Sequence, residues 1–123
     1  MPLSQRLTVV PTPFLVEHLP DATLPEDDEW IALVRAPEGL TVIREAPHYA
    51  TEDRWFGLYG SDTTHGLETT GMLAALVTPL ADAQIPVFVA STYHADLVLV
   101  PERHLDKAIT TLKTAGHDIT RNS

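Results

Sequence analysis

Residues 85–102, IPVFVASTYHADLVLVPE, constrain the fold more than any other stretch of the chain. Two apolar runs of strand length flank a polar turn that carries Ser91, Thr92, Tyr93, His94 and Asp96, a pattern that predicts a β-hairpin. Neither run alternates cleanly. Val87 and Val89 fall on one face, yet Phe88 and Ala90 on the other are apolar too, and Leu97 and Leu99 stand against Val98 and Val100 in the same way. A strand that is apolar on both faces must be covered on both. Neighbouring helices supply one cover; the other has to be a second sheet, a loop or another subunit.

The flanking sequence provides those helices. Upstream, Met72, Leu73, Leu76, Val77 and Leu80 recur at helical spacing, with Thr69 or Thr70 available as a cap. Pro79 falls late in this helix and leaves the Ala75 carbonyl without its usual partner. Downstream, a helix predicted from Glu102 presents Leu105, Ala108, Ile109, Leu112 and Ala115 on one side and stops at Gly116. Residues 118–120 allow a last edge strand. Before all of this, residues 55–59 (WFGLY) form a strand. From residue 54 the order is therefore strand, helix, strand, strand, helix, strand, the ferredoxin-like βαββαβ plan of an α+β protein, with antiparallel sheets and the helices on one face.

The first part of the chain repeats the strands without the helices. Residues 7–19 are apolar but broken by Pro11 and Pro13, which predicts an edge or bulged strand. Residues 20–28 read as a loop. Residues 30–35 (WIALVR) and 40–44 (LTVIR) form a second hairpin around the turn at Gly39. The chain thus divides into a reduced module, residues 1–53, and a complete one, residues 54–123.

Composition narrows the function. Apolar residues make up 44% of the 123, enough for a packed core. The net charge is −9 and the eight Lys and Arg are scattered, which argues against a nucleic-acid or anionic-membrane surface. There is no Cys, so disulfides, thiolate metal sites and thiol nucleophiles are excluded. No apolar run approaches the ~18 residues of a membrane helix and no leader pattern is visible, so a soluble, cytoplasmic protein is expected. The six His residues (18, 48, 65, 94, 104 and 117) lack metal-site spacing, the acids at 26–29 lack calcium-loop spacing, and no nucleophile elbow surrounds a Ser. No catalytic residue, metal or cofactor is expected, and the chain does not read as an enzyme.

The string Ile85-Pro86-Val87, Ser91-Thr92-Tyr93, Ala95-Asp96 and Leu99-Val100-Pro101-Glu102 resembles a small ACT-domain family. Its bacterial members are short, and a related group includes the cytosolic arginine sensors of animals. The resemblance extends through Thr70-Gly71-Met72-Leu73-Ala74 and Pro79-Leu80 to Ala115-Gly116-His117, and more weakly to residues 29–34. It implies tandem ACT-like modules, the first reduced, pairing as a homodimer, binding an amino acid or related metabolite at a module or subunit interface, and regulating a protein partner rather than catalysing.

A site for a free amino acid needs anion donors beside an acceptor. A helix starting at Gly71 offers free N–H groups and a favourable dipole for a carboxylate. The resemblance adds Met72 and Leu73 as backbone donors. Asp96 is the natural acceptor for an ammonium or guanidinium group, and the resemblance gives it that role. Each residue has a plainer reading. Asp96 can bond the amides of its own turn, Gly71 can permit close packing, and Ser91 and Thr92 can satisfy local backbone. Tyr93 reads as a packing residue. The candidate ligand-binding set is Gly71, Met72, Leu73, Ser91, Thr92 and Asp96. A competing reading is an interaction or dimerisation module whose site is vestigial.

Overall fold

The computed structural model describes residues 4–21, 30–60, 71–92 and 96–121. The prolines cut the first apolar run in two: β1 (Arg6–Val9) and β2 (Phe14–Leu19) lie either side of Pro11 and Pro13, because proline brings no N–H to a ladder. β3 (Trp30–Ala36) and β4 (Gly39–Glu45) form the expected hairpin. β5 (Trp55–Gly60), α1 (Met72–Asp82), β6 (Phe88–Val89), β7 (Leu97–Pro101), α2 (Leu105–Thr114) and β8 (Asp118–Arg121) follow. The predicted start of the second helix at Glu102 is a 3-10 turn, Glu102–His104, which leads into α2. The proposed cap residues Thr69 and Thr70 lie outside the described residues. No helix among the described residues is long and apolar enough to cross a membrane.

The eight strands among the described residues join one sheet. β5 is its centre. One edge of β5 pairs with β7, which pairs in turn with β6. The other edge is shared: β1 pairs with Leu58, Tyr59 and Gly60, and β2 meets it through Phe14 opposite Trp55. β2 then carries β4 and β3. The sequence from β5 to β8 keeps the expected order of elements, but the sheet departs from the plain plan. There the closing strand lies beside the opening one; here β1 stands between β5 and β8. The β1–β8 pair is parallel, so the expected wholly antiparallel sheet contains one parallel ladder.

Both faces of the central hairpin are covered, and β7 shows how. Its five residues are all buried. Val98 and Val100 enter a core built with Leu76 and Leu80 of α1, Leu105, Ala108 and Leu112 of α2, and Leu7 and Val9 of β1. Leu97 and Leu99 point the other way, into a second core with Phe14 and Ile43. Trp55 and Phe88 border that core edge to face, their ring centroids 6.5 Å apart. The second cover is therefore the β2–β4–β3 part of the same sheet, which curls over the face opposite the helices. Gly57 of β5 lets side chains approach closely: a Cβ there would stand 2.8 Å from Leu97 Cδ1 and 3.3 Å from Val10 Cγ2.

Candidate ligand-binding site

The polar end of the β6–β7 hairpin is fastened to the end of β5. The Ala90 N–H donates to the Leu97 carbonyl at 2.8 Å, and the Gly60 N–H donates to the Asp96 carbonyl at 3.1 Å. These bonds hold Ser91, Thr92 and Asp96 beside Tyr59 and Gly60. The Ser91 hydroxyl donates to Asp96 Oδ1 at 2.7 Å. The Tyr59 hydroxyl lies 3.3 Å from Thr92 Oγ1. Asp96 is half-buried, and Ser91 and Thr92 are exposed. The result is a carboxylate oriented by one hydroxyl with two more hydroxyls alongside, an acceptor-rich rim suited to an ammonium group. Tyr93 and His94 lie outside the described residues.

Gly71, Met72 and Leu73 begin α1 elsewhere. Gly71 sits at φ 82° in the left-handed region, its carbonyl accepts from the Ala75 N–H at 3.0 Å, and no side chain caps the helix among the described residues. The first-turn N–H groups have no partner within the helix itself. The Met72 carbonyl is engaged by Gln5 Nε2 at 2.7 Å, and Leu73 packs against the helix-side core. Gly71 borders a shallow cavity of about 400 Å3 shared with Ala74, Thr78 and Ala115. Ser91 and Thr92 line a different one. The six sequence-derived residues thus fall into two groups, one at the hairpin end and one at the start of α1. Residues 61–70, between β5 and α1, lie outside the described residues.

His117 ties the start of α1 to the sheet. It is buried. Its Nδ1 accepts from the Gln5 N–H at 3.1 Å, and its Nε2 lies 2.9 Å from the Ala75 carbonyl. The first bond makes Nδ1 the acceptor, so Nε2 carries the hydrogen and donates to Ala75. That carbonyl is the one that Pro79 leaves without its intrahelical partner.

The cavity at the hairpin end has a volume of about 580 Å3 and lies between β3 and β6. Ile31, Ala32, Leu33 and Val34 line one side, and Phe88, Val89, Ala90, Ser91 and Thr92 the other. A strand facing a cavity contributes every second residue; runs of neighbours mean that it lies along the strand edges. β3 pairs only with β4, and β6 only with β7, among the described residues. The sheet therefore curls until its two outer strands confront each other across this space. Ile43 and Leu97 close it from within.

Sequence reasoning missed Tyr59, Ile31 and Val34. Tyr59 had a signal, since it shares a face with Trp55 at the end of a strand. Ile31 and Val34 gave none, because their role depends on which strands become edges.

The chain is similar over nearly its whole length to Atu0741 from Agobacterium tumefaciens, known from an X-ray crystal structure. The TM-score is 0.83 at 19% identity, with 98% of this chain and 96% of that one covered. It is also similar to VC0802 from Vibrio cholerae, described as a protein of unknown function and possible transport protein. There the TM-score is 0.65 at 24% identity, with 85% and 84% covered. At these identities the likeness concerns the fold. The ACT-domain family model matches residues 50–114, from just before β5 to the end of α2 and more than half of the sequence. By that match the chain belongs to the ACT-domain family.

Proposed function

We propose that the protein is a non-catalytic regulatory module that binds an amino acid or related small metabolite where its two modules meet. ACT domains are regulatory small-molecule-binding units, which supplies the class of function. The observation that carries the finer reading is the Asp96 carboxylate, bonded by Ser91, which itself lines a cavity between the β3–β4 and β6–β7 hairpins. An ammonium group placed there would gain a charge-assisted bond of about 1.5–3 kcal/mol. The carboxylate of the ligand would take backbone N–H groups, with the Gly71, Met72 and Leu73 turn as the proposed donor set. The division into modules near residue 53, the tandem ACT character of the whole, the homodimer, the cytoplasmic location and a regulated protein partner belong to the same proposal.

A thermal-shift screen over the twenty amino acids at millimolar concentration tests it. At least one is expected to raise the melting temperature by mass action, and Asp96→Ala is expected to abolish that shift while keeping the fold. No shift with any amino acid would sink the reading.

A second reading, a dimerisation or interaction module with a vestigial ligand site, is favoured by β3. It is an outer strand on which Ile31 and Val34 remain 41% and 53% exposed, and such edges pair readily with other chains. A stable dimer in light scattering, broken by Val34→Lys, together with a blank ligand screen, would favour it.

A further inference from the structure

We infer that the cavity between β3 and β6 is a side-chain pocket selective for a large aliphatic or aromatic amino acid; this rests on the amino-acid reading above. Its size falls in the range of small-molecule sites, which are mostly apolar with a few polar groups that fix orientation. The polar groups sit at one end, where Ser91, bonded to the Asp96 carboxylate, and Thr92, beside the Tyr59 hydroxyl, line the opening. The rest of the wall is aliphatic and aromatic, chiefly Ile31, Val34, Ile43, Phe88 and Leu97.

Among the described residues, no charged side chain lines it. A guanidinium, a lysine ammonium or a second carboxylate lying against the aliphatic wall, away from Asp96, would lose water and find no counter-charge on it. An apolar side chain gains there in proportion to the surface it buries. The backbone adds a directional element. Ala90 and Leu97 are a bonded pair, and bonded and non-bonded pairs alternate along an antiparallel ladder. Val89, paired with Val98, therefore turns its own N–H and carbonyl away from β7, toward the β3 side. A zwitterionic head anchored at Asp96 would find that donor and acceptor within the same opening. The first module is part of the pocket, because Ile31 and Val34 come from its outer strand.

Isothermal titration calorimetry on the full chain with leucine, phenylalanine, alanine, arginine and glutamate tests the assignment. Leucine or phenylalanine is expected to bind at least about tenfold more tightly than alanine, as several methylenes in an apolar pocket require, and also more tightly than arginine or glutamate. Val34→Asp, at an edge position that is 53% exposed, is expected to weaken leucine and phenylalanine binding by about tenfold or more, because it places a carboxylate on the apolar wall. Ile31→Ser provides a second variant should Val34→Asp perturb the strand, with circular dichroism confirming the fold of each. Preference for a charged amino acid, or unchanged leucine binding in both variants, overturns the pocket and leaves the amino-acid reading intact. No heat with any of the five, alongside a blank thermal-shift screen, overturns both.

Discussion

At the scale of single residues, His117 and Pro79 illustrate how one backbone defect recruits a partner from elsewhere. Proline inside α1 removes the donor for Ala75, and a buried imidazole 42 positions away in sequence replaces it. His117→Ala would strand that carbonyl and the Gln5 N–H together. Each buried unsatisfied group costs about 1–3 kcal/mol, so a loss of about 2 kcal/mol or more is expected in urea unfolding. Pro79→Ala returns an N–H to Ala75, so the cost of His117→Ala should fall by about 1 kcal/mol in that background. Strict additivity in this double-mutant cycle would deny the link. Gly57 gives a second case. Gly57→Ala forces a methyl against Leu97 and Val10, and overpacking of this kind is expected to lower stability by about 1–3 kcal/mol. The orphaned Ala75 carbonyl was legible in the sequence, because the missing donor is a property of proline itself. Its rescuer was not, because nothing local ties residue 117 to residue 75.

At the scale of elements, residue patterning predicted nearly every strand and helix that the structure describes. Two-sided apolar runs called for covers on both faces, and β7 has them: α1 and α2 on one side, the β2–β4 layer on the other. Strand order was less legible. Periodicity tells which face of a strand is buried, but not which neighbour takes its edge. Leu7 and Val9 alternate with Arg6 and Thr8 as any half-covered strand would, and nothing in that pattern announces insertion between β5 and β8. The insertion has a physical consequence. β8 bonds to the sheet through β1, and Leu7 and Val9 fill the core beneath both helices. Removing residues 1–10 is therefore expected to abolish cooperative thermal unfolding and collapse amide dispersion in the remaining chain. A truncated protein with native dispersion would show β1 to be dispensable. The site divides along the same line. Asp96, Ser91 and Thr92 could be nominated from a polar turn, whereas the opposite wall at Ile31 and Val34 exists only because the sheet curls.

At the scale of the whole molecule, the two hairpins form the facing walls of one opening, and the proposed ligand would bridge them. Binding would then fasten β3 to β6, a change that a regulated partner or a second copy could read as a shift in population. The net charge of −9 leaves polyanions out of the account and suits a ligand whose ammonium meets an acidic rim. The central claim is that an amino acid binds at this opening. A titration followed by amide chemical shifts tests it most directly, with leucine added to the labelled full chain. The expected result is a saturable set of shifts at Ile31 through Val34 on one wall and at Val89, Ser91, Thr92 and Asp96 on the other, joined by Gly71, Met72 and Leu73 if they take the ligand carboxylate. Shifts clustered away from both walls, for instance around Arg54 and Glu102, would contradict it.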